Sequence, residues 1–192
     1  MHDALTVSLE TWGQQVIAAI DACIDPQGHA DVATVGKALS LASTWQGCPR
    51  AKDISPRDTS PAYRRIPLGE QGNYEALLIL WPPGHVTPIH DHQGLWGLEY
   101  VLDGVLEVES FELTPSPAIH LEPRDTLVAG IGDYLVFSDA DYAHRCRNFS
   151  KNRQALTLHV YGGSLDSYRS FHAEGDAWSS VLHQSVRQKT CV

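Results

Sequence analysis

Residues 84–104 read Gly-His-Val-Thr-Pro-Ile-His-Asp-His-Gln-Gly-Leu-Trp-Gly-Leu-Glu-Tyr-Val-Leu-Asp-Gly and concentrate the chemistry of the chain. His90 and His92 are two apart, and on an extended strand side chains two apart leave the same face, so both imidazoles can reach one metal ion. Gly84, Pro88 and the pair Pro82-Pro83 constrain the turn before them, while residues 98–102 followed by Asp103-Gly104 form a strand closing on a hairpin turn. Two histidines at the lip of a hairpin, joined by a third ligand from later in the chain, can hold a metal inside a β-barrel. Strand histidines also serve as ordinary core or surface residues, so the spacing alone leaves both readings open.

The elements that must position this pair are mostly short strands. Residues 63–68, 74–81, 105–113, 118–121, 126–128, 133–136, 144–148 and 154–161 are apolar or alternating runs separated by Gly, Pro and Asp turns, one of them at 69–73. That pattern indicates an all-β barrel or double-sheet jelly roll. Ahead of it, Leu5, Val7, Leu9, Trp12, Val16, Ile17, Ile20 and Ile24 recur at three and four, a helical stripe ended by Asp25-Pro26. A second helix is expected over 30–42, with Val32, Val35, Leu39 and Leu41 inward. These helices are too small to hold their own core and are expected to cap the barrel. Residues 47–61, rich in Pro, Ser, Asp and Gly, form a loop; the tail from Leu165 is more polar, and 180–188 is a helix or a fold-over strand. The organisation expected is one domain: a helical cap over 1–46, a barrel over 60–165 and an extension over 166–192.

A chain of 192 residues can bury a single sizeable core. Its net charge of −9, from 23 acidic and 14 basic residues, argues against nucleic acid or an anionic membrane surface as partner and leaves a small molecule. No apolar run of about 18 residues and no basic leader with a long apolar core is present, so a cytoplasmic location is expected. Cys23, Cys48, Cys146 and Cys191 lack C-x-x-C spacing, which argues against a zinc knuckle or redox pair and for reduced thiols. Of the ten histidines, His85, His90, His92, His144 and His159 fall in the strand-rich middle, whereas His2, His29, His120, His172 and His183 are spread around it.

The middle resembles the cupin pattern, with Gly84, His90, His92 and Gly104 in a first motif and Gly132, His144 and Asn148 in a second. Most cupins add a glutamate shortly after the His-x-His; here Gly97 stands near that place and Glu99 follows two residues on. In detail the chain resembles the thiol dioxygenases of the cysteine dioxygenase family. The resemblance rests on His90-Asp-His92, Trp96-Gly97, Gly104, His144-Arg-Cys-Arg-Asn148 and Thr157-Leu-His159-Val-Tyr161, and spans residues 63–163. It implies a cupin β-barrel in which His90, His92 and His144 hold Fe(II), a face of three neutral imidazoles that leaves about three octahedral positions open. It also implies a hydrogen-bonded row of Thr157, His159 and Tyr161 beside the metal.

That row is sensible on its own terms. Residues 157, 159 and 161 share one strand face, and a histidine can orient a tyrosine hydroxyl toward bound oxygen or substrate. The ordinary alternative is a tyrosine hydrogen-bonded for burial alone. For the substrate carboxylate, the family's Tyr-x-Arg pattern points through Tyr63 to Arg65, whereas counting back from His90 favours Arg64. Adjacent strand residues face opposite sides, so only one can be the clamp, and Arg65 is the expectation. Some relatives carry a cysteine at the place of Gly97, thioether-linked to the tyrosine; Gly97 cannot form that link. Trp96 is expected to wall the pocket, Glu99 is a candidate fourth ligand by strand parity, and Cys146 is expected to point away from the metal.

The activity implied is addition of both atoms of O2 to the sulfur of a small carboxylated thiol, L-cysteine first and 3-mercaptopropionate second. A metal-dependent cupin lyase or isomerase, and a non-enzymatic binding cupin, are the alternatives; coordination by Glu99 would favour the former, and indifference to loss of His144 the latter.

Overall fold

The computed structural model describes residues 2–25, 27, 29–54, 62–114, 118–138, 140–175 and 177–186. Pro26, Cys191, the part of the expected loop from 55 to 61 and the tail beyond 186 lie outside them. Helix α1 spans His2–Asp21 and α2 spans Val32–Leu39, capped by the Asp31 carboxylate accepting from the Ala33 N–H at 3.2 Å. A 3₁₀ turn at Ala42–Thr44 and a one-turn helix α3 at Ala51–Ile54 follow, the latter inside the stretch expected to be loop.

Eleven strands come next among the described residues: β1 Arg64–Gln71, β2 Tyr74–Trp81, β3 Ile89–His90, β4 Gly97–Asp103, β5 Leu106–Thr114, β6 His120–Ala129, β7 Tyr134–Phe137, β8 Tyr142–Asn148, β9 Ala155–Tyr161, β10 Ser167–Glu174 and β11 Ala177–Gln184. They form a five-stranded sheet in the order β1-β2-β9-β4-β7 and a six-stranded sheet in the order β11-β10-β3-β8-β5-β6. All the strand pairings are antiparallel, which makes the double-sheet jelly roll of the cupins.

Three stretches differ from the sequence expectation. The turn expected at 69–73 shrinks to Gly72-Asn73, because β1 keeps pairing through Gln71 opposite Tyr74. The two strands expected at 118–121 and 126–128 are one, β6. Pro123 sits opposite Phe111 beside a register shift, and β6 is the sheet's edge, so the N–H that proline lacks is not needed by a neighbour. The polar tail supplies β10 and β11, and β10 pairs with the histidine strand through Ser170 opposite His90. Of the two readings open for 180–188, residues 180–184 take the strand.

The five-stranded sheet is buried on both faces, which is why β2 and β9 are apolar runs rather than alternating ones. Its outer face, with Ala76, Leu78, Leu80, Leu98, Tyr100 and Leu158, packs against Trp12, Val16, Ile20, Val35 and Leu39 of the helices. Buried polar groups there are paired: Trp12 Nε1 donates to the Ala42 carbonyl at 3.0 Å and the Tyr74 hydroxyl to Asp21 at 2.8 Å. The inner face carries Leu77, Ile79, Trp81, Val101 and Tyr161 into the barrel. The helical layer therefore covers the outside of one sheet. Among the described residues, no helix is long and apolar enough to cross a membrane.

Candidate functional site

The backbone register brings the three histidines of the sequence pattern together. His90 on β3 is the direct partner of His144 on β8, and their Nε2 atoms are 3.3 Å apart. One ligand nitrogen from each of His90, His92 and His144 lies within 4.8 Å of the others. Two imidazoles sharing an ion at bond lengths of about 2.0–2.1 Å have nitrogens roughly 3 Å apart, so this spacing fits a metal. His90 Nδ1 is 3.0 Å from the Pro88 carbonyl and donates to it, which fixes the ring and leaves Nε2 as a lone pair. His144 Nδ1 lies 3.3 Å from the Tyr142 hydroxyl. Both ring nitrogens of His92 are buried without a hydrogen-bond partner among the described residues, an orphaned imidazole that a metal would satisfy. Burial holds all three histidines below their ordinary pKa, His92 and His144 most strongly, so each is a neutral ligand.

The residue between the pair anchors it. Asp91 is 2% exposed and accepts from Arg169 of β10, at 2.9 Å from the backbone N–H and 2.7 Å from Nε. The turn after His92 runs through Gln93 and Gly94, both at positive φ. The His92 ring stacks on Phe137 with centroids 4.5 Å apart.

Thr157, His159 and Tyr161 form the expected row, and it begins one residue earlier in space than the sequence indicated. Trp81 Nε1 donates to Thr157 Oγ1 at 2.8 Å, and Thr157 Oγ1 is 2.8 Å from His159 Nε2. An indole N–H only donates, so the threonine oxygen accepts there and has its own proton available for His159 Nε2, the arrangement that goes with the ring proton on Nδ1. Desolvation, followed by the positive charge of Arg65, pushes His159 down to about 3, so its imidazole is neutral, and with Thr157 donating to Nε2 the ring proton sits on Nδ1. Nδ1 is 3.1 Å from the Tyr161 oxygen and donates to it, which leaves the phenol O–H free to point onward.

Cross-strand register also separates the two arginines. Arg65 is opposite Ile79, which is opposite Thr157, so Arg65 shares the inner face with the row; Arg64 is opposite Leu80 on the helix-side face. Nε and Nη2 of Arg65 are buried with no hydrogen-bond partner among the described residues. Arg65 lines a cavity of about 360 Å³ together with Tyr63, His85, His90, Tyr161 and Tyr168, and Arg64 reaches its rim. Tyr63 stacks on His85 at 4.7 Å and meets Trp81 edge-on at 5.2 Å. A volume of this order suits a small ligand. A larger cavity of about 440 Å³, lined by Arg50, Asp103 and Arg153 among others, contains none of these groups.

Three expectations meet a different arrangement. Trp96 does not line the cavity: it shares the parity of Leu98 and Tyr100 and packs at the helix-side core, its ring against Gly162, where an added Cβ would come within 2.1 Å of the indole nitrogen. Cys146 does not point away; it is two residues from His144 and leaves β8 on the same face, with Sγ 3.8 Å from His144 Nδ1. Glu99, opposite His159, places Oε1 3.5 Å from both His144 Nε2 and His159 Nδ1 and Oε2 3.6 Å from Cys146 Sγ. It clusters with His144 and Cys146 but not with His90 and His92. Burial pushes its carboxyl up to about 8, so these contacts to neutral imidazoles are not ion pairs at neutral pH. Strand parity singles out Glu99 from the sequence, and the same parity applied to 144 and 146 puts Cys146 on the face of His144.

The model of the family cysteine dioxygenase type I matches residues 55–174. Cysteine dioxygenase type 1 of Danio rerio is 28% identical over 146 residues, which cover 74% of this chain and 72% of that protein. The Homo sapiens protein of the same name is 26% identical over 106 residues, 54% of this chain and 53% of its own length, so the chain spans about half of that relative. Among solved structures, the TT1209 protein of Thermus thermophilus is similar with a TM-score of 0.43 and 21% identity, over 56% of this chain and 90% of that one. The family match takes in well over half of the sequence and contains the histidine cluster, the row behind it and Arg65, and on that ground the chain belongs to the cysteine dioxygenase family, as an oxygenase of the cupin fold.

Proposed function

We propose that this protein is a mononuclear non-haem iron(II) thiol dioxygenase that converts a small carboxylated thiol, L-cysteine in the first place, to its sulfinate. The observation that carries the substrate class is Arg65: a buried guanidinium with unpartnered donors facing the same cavity as His90 and Tyr161. A guanidinium in that state is expensive to leave unpaired, and a substrate carboxylate supplies two acceptors in the geometry its fork requires.

His90, His92 and His144 would hold the iron, and three neutral imidazoles leave its charge and several positions available. When bound, the metal supplies the electron transfer that joins oxygen to sulfur. The chain's own residues do the rest. Arg65 holds the carboxylate and so sets where the thiol lies relative to His90. Tyr161, with its oxygen already occupied by the His159 N–H, presents its O–H to the cavity and donates to the substrate or to the oxygen being transferred. Trp81 and Thr157 keep His159 in the tautomer that makes this possible. Phe137, Tyr63 and Leu165 surround the site with apolar surface and exclude water.

Oxygen uptake by the iron-loaded protein, scored by sulfinate formed with L-cysteine, 3-mercaptopropionate and cysteamine, tests the assignment. Turnover is expected with the carboxylated thiols and not with cysteamine. Absence of thiol-dependent uptake with all three would overturn it.

A further inference from the structure

Glu99, His144 and Cys146 bring a carboxylate, an imidazole and a thiol together from opposite sheets of the barrel: Glu99 from β4 in the five-stranded sheet, the other two from β8 in the six-stranded one. All three are at most 2% exposed. Sγ lies 3.6 and 3.9 Å from the two carboxylate oxygens and 3.8 Å from His144 Nδ1, and the nearer carboxylate oxygen to His144 Nε2 is at 3.5 Å. A tetrahedral ion with bonds of about 2.0–2.3 Å separates its ligands by roughly 3.3–3.8 Å; the sulfur–carboxylate and carboxylate–Nε2 spacings match such a shell, and one ligand atom from each of the three residues lies within 4.8 Å of the others.

The surroundings of Glu99 strengthen the case. Its polar contacts among the described residues are His144, His159 and Cys146, with no Lys or Arg. Buried carboxyl groups are normally held by a cation or by several good donors, and a thiol is a weak donor. A divalent ion would satisfy carboxyl and thiol at once, both groups releasing their protons to solvent as oxygen and sulfur become ligands. Thiolate with imidazole and carboxylate is a donor set suited to zinc, whereas three imidazoles alone accept several divalent metals.

We propose that Glu99, His144 and Cys146 form an inner divalent-cation site, suited to thiophilic ions of the zinc type, which shares His144 with the three-histidine face. Because His144 Nε2 faces both His90 Nε2 and the Glu99 carboxyl, an ion in the inner position removes one ligand from the outer one. The two positions exclude each other, and the inner one is a seat at which zinc displaces the iron-competent arrangement. This rests on the reading of His90, His92 and His144 as the outer site.

Metal-free protein titrated with cobalt(II) tests it by absorption. The wild-type protein is expected to develop a near-ultraviolet thiolate-to-cobalt charge-transfer band, which zinc then abolishes by displacement. The band should vanish in Cys146→Ser and Cys146→Val, persist in His90→Ala and be lost in His144→Ala; Glu99→Gln should weaken zinc binding by about tenfold or more. Circular dichroism of each variant checks that it folds, and the wild-type spectrum needs no variant. A wild-type cobalt spectrum without a thiolate band, or a band that survives in folded Cys146→Ser, overturns the proposal. Oxygen uptake by the iron-loaded wild-type protein reports on the dioxygenase reading separately: a thiolate band without uptake would sink that reading and leave the inner site standing.

Discussion

The ring of Phe137 fills the space that a side chain at Gly97 would need: a Cβ at Gly97 would lie 2.1 Å from Cζ of Phe137. The two residues are direct partners between β4 and β7, Gly97 also faces Tyr161 on β9, and the same phenyl ring supports His92. Gly97→Cys is therefore expected to displace Phe137 rather than link to Tyr161. Overpacking of this kind costs about 1–3 kcal/mol, read as a lower thermal unfolding midpoint, and intact-mass measurement should show no cross-link. Phe137→Ala in the Gly97→Cys background should relieve the clash and make the cross-link geometrically accessible.

Arg65 and Arg64 separate by register, and their variants should separate by kinetics. Arg65→Gln is expected to raise the KM for L-cysteine by about 10- to 100-fold, the loss of a charge-assisted contact of roughly 1.5–3 kcal/mol, with little effect on any residual turnover of cysteamine. Arg64→Gln should stay within a few-fold of wild type. Steady-state oxygen consumption with both thiols decides it.

Asp91 and Arg169 tie the histidine turn to β10. Arg169→Ala leaves a carboxylate that is 2% exposed with only backbone and Gln93 donors. Breaking such a pair costs about 3 kcal/mol at the lower end of the buried range, since the Arg169 side chain is itself 32% exposed. Chemical denaturation should show that loss, and metal affinity should fall with it because His90 and His92 flank Asp91.

The metal-free protein should lose stability on both sides of neutrality. His159 titrates at about 3 in the native state against 6.5 for the unfolded chain, so the unfolded state binds the extra proton and stability falls as pH drops from 6.5 toward 3; the other buried histidines push the same way. Glu99 keeps its proton up to about 8 against 4.5 when unfolded, so the native state binds the extra proton and stability falls as pH rises through that window. With several histidines opposing one carboxyl, the maximum is expected near pH 7, with a decline toward pH 8 that Glu99→Gln removes. Denaturant midpoints across pH 4–9 for both proteins test this.

The strands that sequence pattern located well are those whose environment is uniform along their length. β2 at 74–81 is apolar throughout because both of its faces are buried, and a run of that length bounded by turns has one reading. β10 and β11 escaped because they alternate weakly and have polar residues on both faces, a pattern shared with irregular tails. The helices were visible by their period, but which side of the barrel they cover is set by sheet packing that no local pattern encodes. In the site, the two-residue spacing pointed to His90 and His92, although β3 ends at His90, while the family resemblance supplied His144 and the Thr157-to-Tyr161 row, whose members share one face of β9. Arg64 against Arg65 depends on which of two registers β1 takes beside β2, a long-range choice that composition leaves open. Glu99 followed from the same two-residue parity, which also reaches Cys146, and Trp96 shares its parity with residues that pack against the helices.

Because the helical layer lies behind the five-stranded sheet, the cavity is walled instead by the start of β1, the segment leading into β3 and the β10–β11 hairpin, through Arg65, His85, Tyr168 and Gln184. Swapping side chains in the helical layer, which ends at Ile54, should tune robustness and leave selectivity alone. Refashioning which thiols gain admission is a task for the last two strands together with the start of β1.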